Sequence, residues 1–424
     1  MTEFELTVNA LESTPSFEWS LSRGEGEVPL YYQYRDFGSF WSIIKSDSFW
    51  ATDARFSNDS EEQRFGTNIM HRVLPRASSA PPELNEDYIV CFCGEDDKLS
   101  QWRGYTADGG VSMGFDFNAA VPFYVMHNDR EDKLGLSSSG YEVVFSQLNQ
   151  VCYLRPKKPE ESDEDYDSYC ADRIGCAEGV KSKDRGAIEE SLRTLRRCAP
   201  FIKHRGFKEE DEYRLVFHNE DGRLSKCVRY RSADSNGIRR PYVVVCPGDP
   251  AYDRRSCVVR LCLREPELTK KLVAELKTSL PRIKTADCTQ PVGGTRKKLS
   301  SDQICFGCTR RHWVNETSVT KRCGYSRFDT DNYEFGLHSG ENSVIVSQGK
   351  NQEKIFNIVY DIVKTEDRSI PVWCEGHLPI RSITVGPCTY QREVVENIRH
   401  YCRHVYWLRD VNIKTSTIPF RRAM

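Results

Sequence analysis

The chain has 424 residues, more than one average domain needs, so it holds either two domains or one domain carrying a large insertion. Hydrophobic residues at 38%, aromatics at 11% and charged residues at 29% suit a globular protein with a buried core and exclude a disordered, collagenous or coiled-coil chain. Sixty basic side chains against 62 acidic ones leave a formal charge of -2, so no global field recruits nucleic acid or an anionic membrane, and any such contact is local.

The first 28 residues have few periodic apolar positions and end in the turn-rich SRGEGEVP, which predicts an arm before the fold. Acidic residues stand where a secretory signal needs positive charge, and no stretch approaches the roughly 20 apolar residues of a membrane span, so a cytoplasmic protein is expected. The 17 cysteines are an odd number spread from Cys91 to Cys402, a pattern of buried thiols rather than a disulfide framework.

The aromatic run Leu30–Arg35 predicts a strand, Phe40–Lys45 a short helix and Phe49–Thr52 a second strand. After the loop SSAPPELNED come two buried-strand runs, Tyr88–Cys93 and Val111–Phe117, joined through Gln101–Tyr105. An acidic stretch at 156–164 precedes two expected helices within 165–198, and Glu212–Phe217 is the next strand. Residues 221–374 read as an insertion or second lobe. It has strand-like runs at 242–246 and 257–263, helices at 265–280 and 352–363, and a polar linker at 285–301. A strand at 380–385, the turn Gly386–Pro387, a helix at 391–403 and an edge-like segment at 411–420 close the chain. The expected architecture is α+β, with an arm at 1–28, a core from 29–220 and 375–424, and a lobe at 221–374. The terminal strand is expected to return beside the first.

No dinucleotide or phosphate-loop glycine pattern, nucleophile elbow or His-Glu-x-x-His helix is present. Cys305, Cys308, His312 and Cys323 place four soft ligands within 19 residues. Such a set can close a tetrahedral zinc shell or be ordinary thiols, since a chain rich in cysteine produces Cys-x2-Cys pairs by chance. Strand alternation puts Tyr31, Gln33 and Arg35 on one face and Tyr32 and Tyr34 on the other. Glu212 and Arg214 likewise share a face and can simply pair, although the crowded carboxylates at 209–212 favour a titrating or ligand-binding role.

In order along the chain these pieces resemble the bacterial family catalogued as domain of unknown function 2971. The resemblance rests on Tyr32-x-Tyr34-Arg35, on the stretch from Phe49 to Glu61 with Asn58-Asp59, and on Cys91-Phe92-Cys93. It continues through Trp102, Tyr105, Gly110, Gly114 and Phe115, then Lys203, Lys208, Glu210, Glu212, Tyr213 and Arg214. It ends on Ile380, Ile383, Gly386, Pro387, Ser416, Ile418, Pro419 and Arg421. Ser60 replaces a proline of the family pattern and Cys93 a serine. Members of the family look like cytoplasmic proteins found among prokaryotic defence and toxin genes.

The order of an early-strand Arg35, a central Cys93 and a late-strand Glu212 is similar to the Arg, Ser, Glu order of ADP-ribosyltransferases, which implies a mixed-sheet core of that kind and NAD as substrate. In that reading Glu212 faces the oxocarbenium-like ribose, Arg35 holds the pyrophosphate, and Tyr32, Asn58, Trp102 and Tyr105 bind the rest of the cofactor. The alternatives are a Mg²⁺-dependent nuclease built on Asp59, Glu61, Glu210 and Glu212, and a nucleotide- or partner-binding module without catalysis. The acceptor, protein or nucleic acid, is left open, as are partner proteins bound through the insertion.

Overall fold

The computed structural model describes residues 29–56, 60–73, 86–106, 109–117, 121–128, 141–146, 148–174, 197–219, 222–233, 237–247, 257–262, 285–288, 335–338, 343–348, 352–366, 372–375 and 377–419, with single helical residues between 271 and 278. The expected arm at 1–28, Asn58, Asp59, the second helix expected before residue 197, and the zinc candidates Cys305, Cys308, His312 and Cys323 lie outside the described residues.

β1 (Tyr31–Asp36) runs directly into α1 (Phe37–Ser46) because the Asp36 carboxylate accepts from the Ser39 amide at 2.9 Å and caps the helix. The helix stops where Asp47 turns left-handed, at φ 48°. Next come β2 (Phe49–Asp53), α2 (Ser60–Val73), β3 (Tyr88–Cys93), α3 (Leu99–Tyr105), β4 (Gly110–Phe115), β5 (Val121–Met126) and β6 (Tyr141–Ser146). Then β7 (Asn149–Gln150), β8 (Cys152–Leu154), α4 (Asp163–Ile174), β9 (Ile202–His204), β10 (Glu212–Phe217), β11 (Arg229–Tyr230) and β12 (Pro241–Pro247) follow. The chain continues through β13 (Cys257–Cys262), β14 (Thr285–Cys288), β15 (Phe335–His338), β16 (Ser343–Gln348), α5 (Gln352–Glu366) and β17 (Val372–Glu375), and closes with β18 (Ile380–Val385), α6 (Gln391–His404) and β19 (Asn412–Thr415).

The protein is mixed α/β. Its main sheet has 12 strands, with the order β19-β18-β4-β1-β3-β2-β12-β5-β6 and with β10, β7 and β11 attached beside that path. β18 and β19 run parallel, whereas β4 is antiparallel to both β1 and β18. A second sheet has the order β14-β15-β16-β13-β17.

Three expectations are corrected. β11 and β12 fall within the stretch assigned to the lobe, yet β12 pairs with β2 and β5 inside the main sheet, burying Val243 and Val245 completely. The linker expected from residue 285 begins with β14, which pairs in parallel with β15 about 50 residues later. The terminal strand β19 pairs with β18, leaving β18 and β4 between it and β1. Each depends on a strand partner distant in sequence, which local composition does not reveal.

One face of the main sheet packs into an aromatic core. Phe49 meets Phe92 and Phe115 at ring distances of 5.6 and 5.1 Å, and Phe92 meets Phe117 at 5.1 Å. α1 adds Phe40, Ile43 and Ile44 to this cluster and α6 adds Val395, Ile398 and Cys402. Such burial contributes about 25 cal/mol per Å² of apolar surface removed from water. No described helix is long and apolar enough to cross a membrane.

Candidate functional site

The opposite face of β3 and β10 is charged, and the local chain explains how it is held. Cys91 and Cys93 stand across from Arg214 and Glu212. Just before β10, Asp211 is left-handed at φ 43° and its carbonyl accepts from the Gly94 amide at 3.1 Å. A Cβ at position 94 would come within 2.1 Å of the Asp211 carboxylate, which would have to swing aside to admit it. The Glu212 amide donates to the Tyr153 hydroxyl at 2.9 Å. These contacts fix where Glu212 enters the sheet.

Glu212, Arg214 and Lys203 are all buried. Arg214 forks onto Glu212, with Nε to Oε1 at 2.7 Å and Nη2 to Oε2 at 2.8 Å. Lys203 Nζ donates to Glu212 Oε2 at 3.0 Å and to Glu210 Oε2 at 2.5 Å. Burial alone raises the Glu212 pKa, but the Arg214 charge and hydrogen bonds, the Lys203 charge and a hydrogen bond from the Cys91 thiol overcome it, holding the carboxyl well below the usual carboxylate range. The expected Glu212–Arg214 pair therefore exists, in a buried cluster rather than on an open surface.

Beside this cluster the sheet forks. β10 runs along one edge of β3, while the other edge is shared: β1 pairs at Tyr32 with Cys93, and β2 pairs at Thr52 and Asp53 with Ile89 and Tyr88. Between them the Gln33 amide donates to the Cys91 carbonyl at 3.3 Å, while its own Oε1 is buried without a hydrogen-bond partner. A cavity of about 60 Å³ opens here, lined by Tyr32, Gln33, Arg35, Cys91, Tyr105 and Glu212 among others. It is small beside the roughly 300–1,000 Å³ of ordinary ligand clefts.

Four of the six residues singled out from the sequence, Tyr32, Arg35, Tyr105 and Glu212, line this one cavity. Arg35 makes no hydrogen bond or ion pair through its side chain among the described residues. Burial lowers its pKa, opposed in part by its neighbours Cys91, Tyr105 and Asp36. Tyr105, 44% exposed, has its pKa raised by burial and by Cys91, Glu210 and Glu212, so it stays a neutral hydroxyl donor.

Trp102 does not line the cavity. It is 3% exposed, its ring meets that of Tyr34 edge-on at 4.6 Å, and its Nε1 donates to Asp97 Oδ1 at 2.8 Å. Asp97 also accepts from Ser416 Oγ at 2.5 Å and from the Thr417 amide at 2.7 Å. A Cβ at Gly386 would lie 2.6 Å from the Trp102 ring. Trp102, Gly386 and Ser416 are thus parts of one packing joint behind the cavity, and the sequence reading of Trp102 as a cofactor platform is corrected to this role. Gly114 similarly clears space for the Tyr32 ring, which a Cβ would approach to 2.7 Å. Sequence reasoning did not assign Gln33, Cys91 or Lys203 to the site. For Gln33 the signal was a polar residue in an aromatic strand run.

The fold and site define a mixed-sheet protein with a cation-bearing cavity at a fork in its main sheet. A family model described as Protein of unknown function (DUF2971) matches residues 101–215, the stretch from α3 through β10 that holds Tyr105, Lys203 and Glu212. No curated protein and no solved structure matches the chain.

Proposed function

We propose that the protein acts on NAD at the forked-sheet cavity, as an enzyme of the ADP-ribosyltransferase kind, and serves as a defence or toxin-type effector. One observation carries the reading: Tyr32, Cys93 and Glu212 stand in a row across the adjacent strands β1, β3 and β10, with Arg35 farther along β1 and lining the same cavity. The Arg35 guanidinium has no ion pair among the described residues and suits phosphate oxygens, which its planar fork can hold in pairs. The tyrosine rings offer stacking faces for nicotinamide or its ribose. When the bond from ribose C1′ to the nicotinamide nitrogen breaks, the electron pair leaves with nicotinamide. The cation left on the ribose is stabilised by a facing carboxylate, the role of Glu212, before water or an acceptor adds and gives up its proton.

A second reading, a nucleotide-binding module without turnover, is favoured by one feature. Both Glu212 oxygens already accept from cations, so its field is shared before any substrate arrives. The same occupancy counts against the nuclease reading, because a carboxylate neutralised by Arg214 and Lys203 is a poor Mg²⁺ ligand.

Incubation with NAD separates these readings. Nicotinamide release that is lost in Glu212→Gln supports the enzyme. Saturable NAD binding by calorimetry, lost in Arg35→Gln but without release, supports the binding module. Absence of both binding and release rejects the cavity as an NAD site.

A further inference from the structure

A second surface adjoins the cavity and takes no part in the reading above. On β2 and β12, Trp50 and Tyr242 stack with ring centroids 4.9 Å apart, leaving Trp50 40% exposed. Arg231 lies over both rings, at 5.7 and 5.8 Å, and donates to Thr52 Oγ1 at 3.2 Å. Its Nε is buried without a hydrogen-bond partner among the described residues. Neighbouring Tyr230, 56% exposed, has Arg239 over its ring at 5.8 Å. Cross-strand register puts Tyr124 and Tyr141 on the same sheet face as Trp50, where they meet edge to face at 6.2 Å.

Among the described residues, Asp53 and Glu86 are engaged by Arg55, and Glu142 by Lys226 and His127. Arg231 and Arg239 make no ion pair among the described residues. Burial lowers the basicity of Arg231, and the nearby charges of Arg35 and Arg240 lower it further. Arg231 and Arg239, which have no ion pair among the described residues, are stabilised by an incoming anion. The patch is also aromatic, with Trp50 and Tyr230 both exposed in part, and unpaired bases can stack on such rings.

We propose that this face binds single-stranded nucleic acid, with bases stacking on Trp50 and Tyr230 and phosphates held by Arg231 and Arg239, the strand leading toward Arg35. Unpaired bases expose the π faces that such rings take up, and a duplex hides them. Guanidinium groups match phosphate oxygens. The inference needs no turnover at Glu212, so its test contains no NAD and stands or falls apart from the enzymatic reading.

The test is fluorescence anisotropy of labelled DNA and RNA single strands of roughly 12 nucleotides with the full chain. Saturable binding of either is expected, with Trp50→Ala and Tyr230→Ala each weakening it about tenfold. Arg231→Gln is expected to make the slope of log affinity against log salt shallower by about 0.7. Thermal melts confirm that each variant folds, and Tyr230, being mostly exposed, provides the variant least coupled to the core. A preference for RNA over DNA identifies contact with the 2′-hydroxyl, and equal binding identifies recognition of base and phosphate alone. Failure of both strands to bind overturns the proposal. So does equal competition by a duplex of the same sequence, or displacement by polyglutamate with Trp50→Ala unchanged, the result expected of a surface for an acidic protein.

Discussion

The two faces of β3 and β10 are built from the same residues in alternation, yet they are held by different physics. One face carries Tyr88, Val90, Phe92, Leu215 and Phe217 into the aromatic core, and the other carries Cys91, Cys93, Glu212 and Arg214 into a buried charge cluster. The apolar face is non-directional: each side chain contributes by leaving water, and a neighbour of similar volume serves nearly as well. The charged face is directional and conditional. Its groups are tolerable inside the protein only because each finds its partner, so removing one strands the others. The candidate site draws on the second face, where a buried, paired charge sits at a fixed place and resists titration.

Breaking the charged face is expected to have the largest effect. Arg214→Leu leaves Glu212 with Lys203 alone and is expected to cost about 3–5 kcal/mol in urea unfolding. A loss below about 1 kcal/mol would show the cluster to be solvated and erase the contrast.

The pH dependence sharpens the same point. The folded-state pKa of Glu212 is depressed from its ordinary 4.5 to about 2. Its contribution is therefore fully present above about 4.5 and is lost as pH falls from there toward about 2. Unfolding free energies measured across that range should fall more steeply for the native chain than for Glu212→Gln, which has no carboxyl to protonate. Parallel curves would mean that other carboxylates carry the acid sensitivity.

At the joint behind the cavity, Gly386→Ala forces a methyl group against Trp102 and is expected to cost about 1–3 kcal/mol, with a shift in tryptophan emission as the readout. On the apolar face, Leu215→Met keeps volume and hydrophobicity and is expected to cost under about 1.5 kcal/mol by the same unfolding assay. Arg214→Lys should cost more than Leu215→Met despite looking equally mild, because lysine cannot fork onto both Glu212 oxygens. The smallest effect is expected at the surface pair of Lys98 with Glu95, where Glu95 is 60% exposed. Lys98→Ala should change stability by less than about 1 kcal/mol, a difference best read from a shift in urea midpoint.

Much of the strand structure was legible in short apolar runs. Residues 88–93, 212–217 and 380–385 are strands within the bounds their composition predicts, because short runs rich in aromatic and β-branched residues favour a pleated, buried strand. Alternation alone also placed Glu212 and Arg214 on one face. Alternation names a face, however, and does not name the neighbour across from it. That Tyr32 and Glu212 both oppose Cys93, that β1 and β2 part beside Cys91, and that Lys203 reaches Glu212 are decisions of strand pairing and chain return. Trp102 shows the same limit: a tryptophan near candidate site residues reads from sequence as a stacking platform, and only packing against Gly386, 284 positions later, makes it a structural joint. Burial preference is a property of a short segment and is written locally, whereas a hydrogen-bonded register or a close approach belongs to two segments at once and exists only when the chain has brought them together.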